Sequence, residues 1–265
     1  MFPKVISIGD FFLPAYGVLV AAGFLVALWL ASRLAARSGL KPEVVSNTGV
    51  YSALIGLAGA KLLMFLFDMD FYRNNPREIL SLSTLQSGGV FYGGVVLAIV
   101  FAAFYVRRHG QPPLPVMDVF GPSLALGHAI GRLGCFAAGC CWGVECRRPW
   151  AVTFTDPEAN RLTGVPLNVA LHPTQLYEAA AELAIFAVLY RFFFRPHGDG
   201  AVFGLYLLLY SSARFVIEFF RAHQQGNPLG GPLSSVQWMA IGIAVAGLWL
   251  MRRQAGPVGF ARPSA

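Results

Sequence analysis

A chain of 265 residues with 56% hydrophobic and only 12% charged residues cannot cover a water-soluble globule, because an ordinary soluble domain carries roughly 25% charge. Mean hydropathy is +0.58, and 29 Gly and 17 Pro occur with no collagen period and no low-complexity block. This excludes a disordered chain, a disulfide-rich secreted miniprotein and a typical cytosolic enzyme, and leaves a polytopic, all-α membrane protein. The net charge of +7 sits largely in short clusters between apolar runs, so anionic membrane lipid is the expected partner and nucleic acid is not.

Seven apolar segments follow one another, each near the ~20 residues that cross the hydrocarbon. They are placed at about 13–32, 47–67, 88–106, 116–137, 174–194, 201–220 and 234–251, in one transmembrane domain spanning 1–265. The first has only Lys4 before it and outruns a signal-peptide core, so no cleavable signal peptide is expected. The second contains Lys61. The third opens on GGVFYGG, where glycines bracket Tyr92; alone, that reads as a packing aromatic. The alternation of an outer-membrane barrel is missing.

The fourth segment runs into GHAIGRLGCFAAGCCWG. His128 and Arg132 are four residues apart on it, and glycines stand at 127, 131, 134, 139 and 143. Small residues let helices or a lipid headgroup approach the backbone, but packing does not explain an arginine there. The connection 138–172 is the longest. It holds the β-prone run WAVTFTD and is read as a small cap, the alternative being an irregular loop on the membrane. The four cysteines fall between 135 and 146 without a C-x-x-C pair, which gives zinc or thioredoxin-like chemistry weak support. One pairing, Cys140 or Cys141 with Cys146, is the disulfide an oxidising exterior would favour.

The fifth segment opens HPTQLYEAAAE, with Pro173 suited to a helix start. Gln175, Glu178 and Glu182 project within a sector of about 60°, as bundle-interior hydrogen bonds or as part of a site. The sixth ends YSSARFVIEFFR. Tyr210, Arg214, Glu218 and Arg221 share one stripe, all within about 80° of Tyr210. Two readings stand: an Arg214–Glu218 clip between helices, or a cationic face lining a polar cavity, where an arginine fork matches phosphate oxygens. Paired arginines at the span ends (Arg107 with Arg108, Arg191 with Arg195, Arg252 with Arg253, and Arg262 in the tail) put the C-terminus in the cytoplasm and, with seven spans, the N-terminus and cap outside.

In order along the chain, FLPAYGVLVAAGF, SGGVFYGG, IGRLGCFAAGCCWG, HPTQLYE and RFVIEFFR resemble the prolipoprotein diacylglyceryl transferase family. The resemblance implies a multi-pass bacterial inner-membrane enzyme that moves an sn-1,2-diacylglyceryl group from phosphatidylglycerol to the thiol of a lipobox cysteine in a preprolipoprotein. The product is a thioether and glycerol 1-phosphate leaves. No metal and no organic cofactor are implied, and nothing in the sequence itself demands more than a monomer. Arg132 in GRLG corresponds to the signature arginine and Arg214 to the second functional one, both assigned to phosphate binding and leaving-group stabilisation; Glu218 orients Arg214. Tyr16, Gly143, His172, Gln175, Tyr177, Glu178, Tyr210 and Arg221 fall at matching substrate-binding positions. The chain departs from the family at VFYGG, where Tyr92 replaces a histidine proposed as base, and at Cys135 and Cys140, which replace Asn and Glu. A tyrosine with pKa near 10 is a poor base, so His128 or His172 is the expected substitute. The competing function is a divergent lipid- or peptide-binding or transporter-like relative without the activity. A transporter should show two repeated halves with interrupted helices, and no such repeat is evident.

Overall fold

The computed structural model describes residues 4–8, 11–81, 84, 89–222 and 231–253; the predicted start of the third segment at 88 and Arg262 lie outside them. Helix dominates. A short antiparallel hairpin, β1 (Lys4–Ile8) and β2 (Phe11–Pro14), precedes α1 (Ala15–Arg37). There follow α2 (Pro42–Phe67), a short α3 (Met69–Asn74), a 3-10 turn at Pro76–Leu80, α4 (Phe91–Arg108) and α5 (Pro113–Ala138). Next come β3 (Val152–Thr153), α6 (Pro157–Thr163), β4 (Ala170–Leu171), α7 (Thr174–Phe193), α8 (Ala201–Ile217), a 3-10 turn at Glu218–Phe220 and α9 (Ser235–Arg252).

Each apolar segment read from the sequence has become one long helix, with ends displaced by a few residues. Helices α1, α2, α8 with its 3-10 extension, and α9 are long and apolar enough to cross a membrane. Helix α7 is long enough but carries Glu178, Glu182 and Arg191, which lowers its apolar character. The hairpin and α3 had no counterpart in the sequence reading, and the β-prone run of the cap yields only two strand residues.

The chain divides into two units. In the unit formed by residues 32–116, α2 and α4 lie backbone to backbone: a Cβ added to Gly59 would stand 2.7 Å from the Gly93 carbonyl oxygen, and one on Gly94 2.7 Å from that of Gly56. Such closeness is how small residues drive helix association where burial from water gives no force. The outward faces present Leu54, Leu57, Leu62, Val96, Ile99 and Phe104, an apolar surface suited to lipid. An open groove of about 460 Å³ beside Lys61 in this unit is almost wholly apolar and holds none of the charged residues described below.

The other unit comprises residues 1–31 and 117–265. Its α1 and α5 pack through Gly23 and Gly127, and its α8 and α9 through Gly204 and Gly247. The buried carboxylate of Asp118 on α5 caps α8, accepting from the backbone N–H of Gly200 (2.6 Å) and Phe203 (2.9 Å). These are orphan donors of a helix start, and the negative charge opposes the helix dipole. Between α5 and α7, residues 139–172 form a small folded element rather than an irregular loop. Phe154, Ala159, Val165 and Leu171 make its own hydrophobic core against Trp142, Val152 and Val169, and β3 pairs with β4.

Candidate active site

Four stretches of this second unit bring charged side chains to one place: the last turns of α5, the first turns of α7, the end of α8, and the start of α9. Glu178 is the hub. Its carboxylate pairs with Arg132 Nε, and its Oε1 lies 3.7 Å from Arg214 Nη1 and 3.4 Å from Arg221 Nη1. Glu218 pairs with Arg214 Nη1 at 2.5 Å and approaches Arg221 Nε at 4.0 Å. The predicted clip between Arg214 and Glu218 therefore exists, but as one edge of a larger network.

The stripe expected from a continuous helix is corrected in one respect. The α-helix stops at Ile217, the chain tightens into the 3-10 turn, and Arg221 has extended backbone (φ −84°, ψ 144°). What places Arg221 is strand-like stitching instead. Val144 N–H donates to the Phe220 carbonyl, Gly143 N–H to the His172 carbonyl, and Gly143 pairs with Arg221 across an antiparallel bridge. A Cβ on Gly143 would meet the Phe220 oxygen at 2.4 Å and His172 Cβ at 2.6 Å, so only glycine fits.

Ser234, which sequence reasoning missed, holds Glu218 from the other side. Its hydroxyl donates to Glu218 Oε1 (3.0 Å) and accepts from Gln237 N–H, while Gln237 Oε1 accepts from Ser234 N–H, a capping box. The S-x-x-Q spacing at 234–237 was the available signal. One hydroxyl thus starts α9 and fixes the carboxylate behind Arg214.

With Glu182 beside them, Glu178 and Glu218 balance the three guanidiniums in formal charge, but not in depth. The side chains of Arg132, Arg214 and Arg221 keep 16, 12 and 21% of their surface, whereas those of Glu178 and Glu218 keep 5 and 3%. The carboxylates lie deeper than the arginine side chains that surround them. A guanidinium has five donors in a fixed fork, so these contacts leave donors for an arriving anion.

His128 extends the network. Arg132 Nε donates to His128 Nε2 (3.1 Å), which makes that nitrogen an acceptor and puts the ring proton on Nδ1, facing Glu182 Oε1 at 2.8 Å. Carboxylate and imidazole stand as they do where a histidine serves as a base, with the basic lone pair turned to Arg132. Tyr210 lies beside His128 with ring centroids 5.6 Å apart. Tyr16 meets the cluster's edge from α1, where Gly134 sits against its backbone. Gln175 is buried and donates to the Cys140 carbonyl. His172 and Tyr177 form a separate group: His172 Nδ1 meets Tyr177 Oη (3.0 Å), which accepts from Trp150 Nε1, and neither shows a contact with Arg132 or Arg214. Tyr92 belongs to the unit of residues 32–116, exposed in the first turn of α4. Gly127, Gly134, Gly139 and Gly143 are closely packed, as read for several of these glycines, whereas Gly131, beside Arg132, has open space where a Cβ would be.

All four cysteines are free thiols. Three of them converge. Helix α5 ends in a Schellman motif: Cys140 N–H bonds the Cys135 carbonyl and Gly139 N–H bonds the Phe136 carbonyl, with Gly139 left-handed (φ 76°). That turn folds Cys140 back over Cys135, and Cys141, also left-handed (φ 61°), returns a third thiol; the three Sγ atoms lie within 4.8 Å of one another. The arrangement has ligand spacing for a metal, which the lack of a C-x-x-C pair had argued against.

Comparison with known proteins agrees with this geometry. Residues 3–253 match the family described as prolipoprotein diacylglyceryl transferase. Relatives named phosphatidylglycerol–prolipoprotein diacylglyceryl transferase include those of Nitratidesulfovibrio vulgaris (34% identical; 94% of this chain and 93% of the relative covered), Methylobacillus flagellatus (32%; 94% and 95%) and Clostridium tetani (30%; 89% and 90%). With its arginines converging on one buried carboxylate and a match over nearly its whole length, this chain belongs to the prolipoprotein diacylglyceryl transferase family.

Proposed function

We propose that this protein transfers the diacylglyceryl group of phosphatidylglycerol to the cysteine thiol of a prolipoprotein lipobox, releasing glycerol 1-phosphate. The observation that carries the reading is that Arg132 and Arg214, from different helices, converge on the one buried carboxylate of Glu178. The reaction breaks a C–O bond at glycerol carbon, and negative charge collects on the departing phosphate. Preorganised cations in a low-dielectric site stabilise that charge without reorganising. Arg132, Arg214 and Arg221 are the groups that meet the phosphate; Glu178 and Glu218 orient them; Tyr16 and Tyr210 border the same cluster. When phosphate draws Arg132 away, His128 Nε2 becomes free to take the acceptor's proton, with Glu182 stabilising the imidazolium that forms. His172 and Tyr177 lie nearer the folded element and are assigned to the acceptor peptide, with buried Gln175 supporting that side of the site through the Cys140 carbonyl.

The seven long helices are read as seven spans, with the C-terminus in the cytoplasm and the folded element at 139–172 outside, where the acceptor is delivered. One chain supplies every residue of the network, which suits a monomer. Among the described residues, no structural feature favours the reading as a relative without this activity.

The test is purified full-length protein in detergent with phosphatidylglycerol and a lipobox peptide, assayed for thioether product, beside complementation of a strain depleted of its own transferase. Arg132→Ala and Arg214→Ala should each lower transfer by on the order of 10²–10³-fold. Absence of product from the wild-type chain refutes the assignment.

A further inference from the structure

The three-thiol cluster at the end of α5 has no task in the reaction as outlined. Its geometry is built rather than incidental. The Schellman turn stacks Cys140 on Cys135, and Cys141 holds a left-handed backbone that few non-glycine residues adopt. Two buried side chains fix that loop: Thr174 Oγ1 donates to the Cys141 carbonyl (2.7 Å) and Gln175 Nε2 to the Cys140 carbonyl (2.6 Å).

Three sulfurs mutually within 4.8 Å are close to what a metal requires. Zinc–sulfur bonds of about 2.3 Å place tetrahedral thiolates ~3.8 Å apart, so a small inward movement closes the site. Soft sulfur ligands select a soft or borderline ion, and three protein ligands leave a tetrahedral zinc one open position. Charge favours it too. Three thiolates on Zn²⁺ carry a net negative charge, and Arg132 Nη1 stands 3.9 Å from Cys135 Sγ.

Resting on the transferase reading above, we propose that Cys135, Cys140 and Cys141 bind a zinc ion whose fourth position takes the acceptor cysteine of the prolipoprotein and holds it as a thiolate. A thiol coordinated to zinc gives up its proton at neutral pH. The acceptor's proton passes to His128 Nε2, and a sulfur lone pair attacks the glycerol carbon. The carbon–oxygen bond to phosphate breaks with its electron pair left on oxygen, beside the arginines. The proton on His128 then goes to the phosphate. The thioether formed is neutral and a weak ligand, so it leaves the metal and the site is restored.

The test measures metal on the purified full-length protein in detergent. Expected are one zinc per chain, about tenfold or more weaker retention in Cys135→Ser, Cys140→Ser and Cys141→Ser, and unchanged retention in Cys146→Ser. With Co²⁺ as probe, a thiolate charge-transfer band should appear and shift on adding a lipobox peptide, but not its cysteine-to-serine counterpart. No stoichiometric zinc, copper in its place, a disulfide among the three cysteines, or a band indifferent to the peptide overturns the proposal. Undiminished transfer by chelated, zinc-free protein also overturns it while leaving the transferase reading intact. Zinc and cobalt behaving as expected with no thioether formed from phosphatidylglycerol upholds the metal site and refutes the transferase reading.

Discussion

Replacing Glu178 by glutamine removes one negative charge while keeping the outline of the side chain. Three guanidiniums lose their common partner, at separations of 3.4 and 3.7 Å for Arg221 and Arg214 and in direct contact for Arg132. At ~3.5 Å and an effective dielectric of ~20, each attraction is about 5 kcal/mol before desolvation. Most of that is offset by the cost of holding ions away from water, and removing one member of a buried pair costs about 3–5 kcal/mol net. Glu178 is 4% exposed, so solvent screening reduces the figure little. The expected result for Glu178→Gln is a clear fall in the thermal unfolding midpoint of the detergent-solubilised chain. Transfer should fall on the order of 10²-fold, because Arg132 and Arg214 lose the group that aims them. The sharper test is Glu178→Gln combined with Arg221→Gln, which restores equal numbers of cations and carboxylates. Unfolding should recover much of the loss although transfer does not. If Glu178→Gln unfolds like the wild type, or the double variant is no more stable than the single one, the network is not electrostatically coupled and the site argument fails.

Ser234→Ala removes both an N-cap acceptor and the donor to Glu218; a loss of about 1–2 kcal/mol in unfolding is expected, with reduced transfer, whereas an exposed serine would show neither. Gly143→Ala places a methyl within 2.4 Å of the Phe220 carbonyl, so the stitching that positions Arg221 must give, and transfer should fall even where the protein still folds. Asp118→Ala leaves the N–H groups of Gly200 and Phe203 without their caps, and should cost about 1–3 kcal/mol in unfolding while the catalytic rate of the surviving folded protein stays near wild type.

The long helices were legible because an apolar run of ~20 residues has few other fates, and the arginines because a charge in such a run demands a partner. The partners themselves were only half legible. Helical spacing put Gln175, Glu178 and Glu182 on one face and all three are buried, yet it could not show that Glu178 faces three arginines from two other stretches. It misplaced Arg221, because a projection at constant pitch cannot register a helix that ends at Ile217. Ser234 gives little signal because its neighbour in space, Glu218, is sixteen residues away along the chain. Asp118, buried inside an apolar segment, went unremarked because its partners are backbone amides of a distant helix start, which carry no side-chain signature.

The cysteines show why the same letters read differently in sequence and in space. C-F-A-A-G-C-C lacks the spacing by which metal sites in loops are usually recognised, because that spacing assumes an extended chain on both sides of the ligands. Here the first cysteine is still on the helix and the glycine between them reverses the chain, so a separation of five residues becomes a stacked pair. The turn that does this belongs to the same helix end that carries His128 and Arg132. Arg132 Nη1 stands 3.9 Å from Cys135 Sγ, so guanidinium and thiols are neighbours at this helix end. A change at Gly139 that relaxes its left-handed backbone should therefore disperse the three thiols, while Arg132 keeps its partners Glu178 and His128.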